Sequence, residues 1–142
     1  MMKQIVSLAL AVTVFAFSAT AQRKKPDVPE SVKNTFAQTY PKASHVKWDQ
    51  EINNYEADFR VDGKNGSIWY DTRGNCVKSE EQIDVHELPK EAREYIHKTY
   101  PSGVPDEARK VLKGKMTSYT VEVRDRDISF DHDGKVISDK KH

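Results

Sequence analysis

The side chains that most resemble a metal-binding group lie in one short loop, Asp131-His132-Asp133-Gly134. Alternating carboxylates before a glycine occur in calcium loops, but those loops need further oxygen ligands and a late glutamate. Here Lys135 follows at once, and the matching loop sixty residues earlier carries Thr72 and Arg73. The sequence therefore predicts a hairpin turn and no metal site, and leaves a metal or small-ligand carrier as the alternative function.

Catalytic groups are not indicated elsewhere in the chain. Cys76 is the only cysteine, and no spacing joins it to His86, the nearest histidine in the sequence, as a nucleophilic thiol would need. The five histidines show no pair on one helical face, as a zinc site would require. Neither a glycine-rich phosphate loop nor a serine nucleophile elbow is present. We therefore expect a protein that is not an enzyme and uses no cofactor.

A second group of residues indicates binding. Trp69 lies between Ile68 and Tyr70 on a predicted strand, so it points to solvent if those two side chains face a helix. An exposed tryptophan beside charged side chains is typical of interface anchors. The alternative is that the two halves of the chain fold over each other and bury Trp69. The predicted partner-binding residues are Trp69, Glu56, Asp58, Arg60, Glu122 and Arg124.

The elements that would position these residues occur twice, sixty residues apart. A fixed period with the same residue chemistry indicates one supersecondary unit used twice. Trp69 breaks the match, because the equivalent residue of the second copy is Ser129. The matching positions are Pro29 and Pro89, Tyr40-Pro41 and Tyr100-Pro101, and residues 68–74 and 128–134.

Each unit is predicted to begin with a helix and to continue with four antiparallel strands. Val32, Phe36 and Tyr40 form an apolar stripe with helical spacing, and a proline ends the helix in each copy. Beyond the helix the period changes to two, as in residues 55–61, and glycines mark tight turns, the first of them predicted at residues 62–66. The predicted fold class is α+β: two tandem repeats, each one helix followed by a four-stranded antiparallel sheet, packed as one domain.

One strand of the second copy does not keep the spacing of the first. Trp48 follows Pro41 by seven residues, and its expected counterpart, Leu112, follows Pro101 by eleven. We expect the four additional residues to lie in a loop within residues 102–107, because loops tolerate insertions.

The N-terminal residues have the features of an export signal. Lys3 precedes an apolar run from Ile5 to Phe17, and Ala19-Thr20-Ala21 supplies a cleavage site. The run is shorter than the ~20 apolar residues of a membrane-spanning helix, so we expect a periplasmic or secreted protein without membrane insertion after cleavage. The predicted segments are a signal peptide at 1–21, a linker at 22–27, a first repeat at 28–87 and a second repeat at 88–142.

The charge balance argues against a nucleic-acid partner. The chain has 23 Lys and Arg against 22 Asp and Glu, and loss of Lys3 with the signal would leave a net charge of zero. Proteins that bind nucleic acids carry a basic excess on one face.

A series of short motifs recurs in a fixed order along both copies. In the first copy the motifs are Val28-Pro29, Tyr40-Pro41, Val46-Lys47-Trp48, Tyr55-Glu56-Ala57, Trp69 and Gly74-Asn75, and in the second copy they are Leu88-Pro89, Tyr100-Pro101 and residues 119–123 and 130–136. The order of these motifs resembles the PepSY-like exported proteins, which are described as similar to beta-lactamase inhibitory protein.

The resemblance covers residues 28–138 and implies a tandem helix-plus-sheet fold with a curved sheet able to grip a partner protein. We therefore expect a non-enzymatic periplasmic module for an unknown protein or peptide of the cell envelope, with peptidase or enzyme inhibition as a special case.

Overall fold

The structure, a computed structural model, describes residues 24–142. The predicted signal peptide at 1–21 and the start of the predicted linker lie outside the described residues. The elements in chain order are α1 (Glu30–Thr39), β1 (Ser44–Gln50), β2 (Asn54–Val61), β3 (Lys64–Asp71), β4 (Cys76–Ile83), a short 3-10 helix (Val85–Glu87), α2 (Lys90–Thr99), β5 (Pro105–Lys113), β6 (Met116–Val123), β7 (Arg126–Asp131) and β8 (Val136–Lys141).

The eight strands form one sheet in sequential order, and every neighbouring pair is antiparallel. Strand β4 of the first repeat pairs with β5 of the second, so the sheet continues across the boundary between the repeats. The predicted fold class is confirmed, with the two four-stranded sheets joined into one.

Each helix packs on the strands of its own repeat. Val32 and Phe36 of α1 are buried against β2 and β3, and Ala92 and Ile96 of α2 are buried against β5, β6 and β7. Both helices lie on the same face of the sheet, because residues paired across antiparallel strands share a face and the pairing runs without a break through β4 and β5. Among residues 24–142, no helix is long and apolar enough to cross a membrane.

The expected alignment of β5 is wrong. Ala108, and not Leu112, occupies the position of Trp48, since Trp48 pairs with Ala57 and Ala108 pairs with the equivalent Val121. Ala108 is buried and Leu112 is exposed. Ala108 follows Pro101 by seven residues, as Trp48 follows Pro41, so residues 102–107 contain no insertion.

The four additional residues lie in the β5–β6 hairpin. Ala57 follows its partner Trp48 by nine positions, whereas Val121 follows its partner Ala108 by thirteen. The next hairpin reverses the difference, because Ile68 follows Ala57 by eleven positions and the equivalent Ile128 follows Val121 by only seven. The two repeats therefore extend different hairpins at opposite ends of the sheet.

The β2–β3 turn is tighter than the sequence predicted. Only Asp62 and Gly63 form it, both with positive φ, as a two-residue hairpin turn of type I′ requires. Strand β3 begins at Lys64, so Gly66 lies in the strand and not in the turn. A Cβ atom at Gly66 would lie 2.7 Å from Cζ of Phe59, so a glycine there leaves room for the ring.

Candidate partner-binding face

The sheet face opposite the helices, here called the outer face, carries most of the predicted site. The alternation of β2 and β3 buries Ala57 and Ile68 against α1 and turns Glu56 and Trp69 the other way. Glu56 and Trp69 are directly opposite in the pairing of the two strands. A concavity of about 580 Å³ opens at this place. Four of the six predicted residues line it: Trp69, Glu56, Asp58 and Arg60.

Trp69 lies on the outer face and stays partly exposed. Its other cross-strand neighbour is Lys78, whose Nζ lies 4.5 Å from the centroid of the indole ring, a cation–π contact. The alternative in which the two halves fold over each other and bury Trp69 is wrong, because the repeats lie side by side in one sheet.

The carboxylate of Glu56 stands in negative surroundings. Partial burial raises its pKa, and the charges of Asp58, Glu51 and Asp49 raise it further, while the indole N–H of Trp69 acts in the opposite direction. Asp58 accepts a hydrogen bond of 2.6 Å from the hydroxyl of Ser67 on β3. Glu56 therefore lies among carboxylates, although Lys47 and Arg60 line the same concavity.

The middle of the outer face holds a chain of ion pairs that sequence reasoning missed. Lys78 Nζ lies 2.6 Å from Glu80 Oε1, and Arg109 Nη1 lies 3.4 Å from Glu80 Oε2. Arg109 Nε also donates to Glu107 Oε1 at 2.6 Å, and this hydrogen bond raises the pKa of the guanidinium. The alternation of side chains along β4 could have placed Lys78 and Glu80 on one face from the sequence alone. Arg109 lies beside them only because β4 pairs with β5.

A second concavity, of about 400 Å³, continues the outer face into the second repeat and shares Glu80 and Arg109 with the first. Glu122, the fifth predicted residue, lines this second concavity. Its direct cross-strand neighbours are Glu107 on β5 and Asp127 on β7, so three carboxylates lie side by side.

Arg124, the sixth predicted residue, does not join the others. The expected strand alternation fails there, because β6 ends at Val123 and Arg124 has a φ of 58° in the β6–β7 turn. Its guanidinium donates to the backbone oxygen of Ser102 at 2.8 Å, in the loop after α2. Arg124 lines neither concavity of the outer face.

The loop at Asp131 has the geometry of a turn. Oδ1 of Asp131 accepts the backbone N–H groups of Asp133 and Lys135, both at 2.9 Å, and these bonds lower the pKa of the carboxyl. Asp71 makes the same two contacts in the first repeat, with Arg73 and Asn75. The ligand atoms of Asp131, His132 and Asp133 lie within 4.8 Å of one another. Because Asp71 and Asp131 make the same backbone hydrogen bonds, the role of Asp131 in closing the turn explains its position.

Comparison with known sequences places the chain among related proteins. A family model described as "Putative beta-lactamase-inhibitor-like, PepSY-like" matches residues 24–65 and 53–138. None of the curated proteins matches the sequence.

Solved structures share the fold at low sequence identity. A DUF2874 family protein from Bacteroides uniformis is 23% identical, with a TM-score of 0.68 over 80% of this chain and 88% of the other. A protein from Bacteroides eggerthii described as "putative periplasmic" is 20% identical, with a TM-score of 0.68 over 82% and 90%. A BLIP-like protein from Bacteroides fragilis is 22% identical, with a TM-score of 0.63 over 80% and 85%.

Proposed function

This chain belongs to the PepSY-like, beta-lactamase-inhibitor-like family, and we propose that it is a non-enzymatic periplasmic module that binds a protein or peptide through its outer face. One observation carries the proposal. Trp69, a large aromatic side chain, stays partly exposed in a concavity lined mostly by polar and charged side chains. Such a residue contributes strongly to binding when a partner covers it.

The location rests on two supports. The N-terminal sequence has the three parts of an export signal. The similar protein of Bacteroides eggerthii is described as "putative periplasmic". The periplasm would bring the outer face into contact with enzymes and peptides of the envelope.

The non-enzymatic character is supported by the one thiol of the chain. A nucleophilic cysteine needs a lowered pKa, but partial desolvation raises the pKa of Cys76, although the residue as a whole is exposed. Inhibition of an enzyme is the special case that the family description and the name of the Bacteroides fragilis protein favour. In that case the outer face would cover part of the target enzyme.

Affinity capture tests the proposal. The immobilised wild type, Trp69→Ser and Val104→Ser are compared on envelope extract of the encoding organism, and captured proteins are quantified by mass spectrometry. Serine is the residue of the second repeat at the position of Trp69, and Val104 is an apolar control, 76% exposed, outside both concavities.

We expect the wild type and Val104→Ser to enrich the same protein. The captured amount of that protein should fall about tenfold with Trp69→Ser, because loss of an aromatic anchor costs about 1.4 kcal/mol or more of binding free energy, which is about tenfold in affinity. Circular dichroism shows whether each variant is folded. If folded Trp69→Ser captured as much of this protein as the wild type does, the outer face would not be the binding surface.

A further inference from the structure

We propose that the partner presents two separate cationic side chains, arginine or lysine, one to Asp58 in the first repeat and one to Glu122 in the second. This inference rests on the proposed function, because it concerns the protein that covers the outer face. It is carried by the distribution of charge over that face, where paired charges lie in the middle and unpaired carboxylates lie on both sides.

The middle of the outer face needs no partner charge. Lys78, Glu80, Arg109 and Glu107 form a continuous chain with N–O distances of 2.6, 3.4 and 2.6 Å across β4 and β5. Each charge in this chain already has an opposite charge in contact. A partner ion placed there would compete with existing ion pairs.

The carboxylates of Asp58 and Glu122 have no such contact. Among residues 24–142, no Lys or Arg nitrogen lies within 4.0 Å of either one. Lys47 is the cross-strand neighbour of Asp58 but forms no ion pair with it, and Arg60 donates instead to Asn65 Oδ1 at 3.0 Å. The hydroxyl of Ser67 is the hydrogen-bond donor to Asp58.

The surroundings of the two carboxylates differ. Glu122 stands directly between Glu107 and Asp127, whereas Asp58 has Glu56 on its own strand but Lys47 opposite it on β1. Like charges directly opposite across strands destabilise a sheet. His142 Nδ1 reaches Asp127 Oδ2 at 3.4 Å, and Arg109 holds Glu107, which leaves Glu122 as the member of its row with no counterion. A cation from a partner would relieve the repulsion at Glu122 and would give Asp58 the ion pair that Lys47 does not form with it.

The two acidic positions are equivalent in the repeats. Ala57 and Val121 occupy the same place, as shown by their pairing with Ile68 and Ile128, so the residues that follow them, Asp58 and Glu122, also correspond. The duplication therefore places one unpaired carboxylate on the outer face of each repeat, whereas Trp69 has no tryptophan counterpart in the second repeat, where Ser129 stands.

The strand geometry gives the spacing of the two cations. Strands β2 and β6 are four neighbours apart in the sheet, and Glu122 lies four residues along β6 from Ser118, the residue in line with Asp58. With strands about 4.8 Å apart and a rise of about 3.3 Å per residue, a flat sheet would place the two positions about 23 Å apart.

Bivalent peptides test this spacing. Two arginine pairs joined by six prolines extend about 20–25 Å, since polyproline rises about 3.1 Å per residue. The same arginines joined by one proline keep the charge but can reach both positions only with their outer side chains fully extended, because four residue steps cover only about 12 Å. Binding is measured by NMR titration at low salt with wild type, Glu122→Gln, Asp58→Asn and the control Glu91→Gln, which removes an exposed carboxylate from α2.

We expect the long peptide to bind at least about fivefold more tightly than the short one, with resonance shifts near both Asp58 and Glu122. Either Glu122→Gln or Asp58→Asn should abolish the advantage of the long peptide, and Glu91→Gln should preserve it. Equal affinity for the two peptides, or an advantage that survives Glu122→Gln, would overturn the inference. If that occurs while Trp69→Ser still loses its captured protein, the outer face remains a binding site and only the charge pattern of the partner is wrong.

Discussion

The two repeats share a backbone plan but fill the space under their helices differently. In the first repeat the ring of Phe36 lies 5.6 Å from Tyr40, 5.4 Å from Trp48 and 5.2 Å from Phe59. Two of the equivalent positions of the second repeat carry smaller side chains, with Ala108 in place of Trp48 and Val123 in place of Phe59.

The second repeat replaces part of the aromatic packing with a polar cluster. Asp139 accepts hydrogen bonds from Arg126 Nε at 2.7 Å, from the Tyr95 hydroxyl at 2.9 Å and from the Tyr100 hydroxyl. Its side chain is only 14% exposed. In the first repeat Ser79 occupies the place of Asp139. One backbone plan can thus be stabilised by ring contacts or by charge-assisted hydrogen bonds, and only the second device depends on pH.

The largest expected effect concerns the aromatic packing. Phe59→Ala removes a buried ring that lies 4.4 Å from the ring of Tyr40, and we expect it to lower the free energy of unfolding by about 3–5 kcal/mol. Val123→Ala at the matching position loses fewer buried groups, at about 0.8 kcal/mol for each methylene, and should cost clearly less. Urea denaturation followed by circular dichroism measures both.

The comparison of the two variants isolates the aromatic cluster. If Val123→Ala destabilised the protein as much as Phe59→Ala, the two cores would depend equally on their packing and the contrast between the repeats would disappear. A changed slope of the transition would instead indicate that the two repeats unfold separately in one of the variants.

The second prediction concerns Asp139. Asp139→Asn weakens hydrogen bonds to a charged group, and we expect it to lower the free energy of unfolding by about 1–3 kcal/mol near neutral pH. Burial raises the pKa of Asp139, but the hydrogen bonds from Tyr100, Arg126 and Tyr95 outweigh it and leave the pKa below its usual value. A carboxylate with a depressed pKa in the folded state stabilises the fold above its unfolded pKa of about 3.9, and this contribution disappears as the pH falls through the folded value.

The difference in the free energy of unfolding between wild type and Asp139→Asn should therefore be largest above about pH 5 and should shrink as the pH falls below about 4. Ser79→Ala, at the matching position of the first repeat, is the control, and its cost should not vary in this way because serine does not titrate there. A cost of Asp139→Asn that stayed constant down to pH 2 would show that the ionised carboxylate is not the stabilising species.

The sequence was sufficient for the parts of the fold that local patterns determine. The helical stripe at Val32 and Phe36 and the alternation through β2 predicted the right elements, because the hydrophobic period differs between helix and strand. The same alternation placed Glu56, Asp58, Arg60 and Trp69 on one face, where the structure has them.

The alignment of β5 could not be obtained in the same way. Ala108, Lys110 and Leu112 share one face of the strand. Alternation alone therefore allows either Ala108 or Leu112 to be the residue that faces the helix. The spacing from Pro101 favoured Ala108, but the large difference in size between Ala108 and Trp48 concealed the match. Contacts such as Arg109 with Glu80 join the two repeats, and they follow from a strand pairing that no local pattern specifies.

The smallest expected effect tests the last difference between the repeats, the two turns at Asp71 and Asp131. The second turn adds His132 and Asp133, with His132 Nε2 lying 3.2 Å from Asp133 Oδ2, and this is where a carrier of metal ions would bind its ligand. We expect isothermal titration calorimetry with calcium or zinc to give no binding heat, because Oδ1 of Asp131 already accepts two backbone hydrogen bonds, as Oδ1 of Asp71 does. Zinc heat that vanished in His132→Ala but remained in Arg73→Ala would make the Asp131 turn a metal site and would favour the carrier function over the binding module.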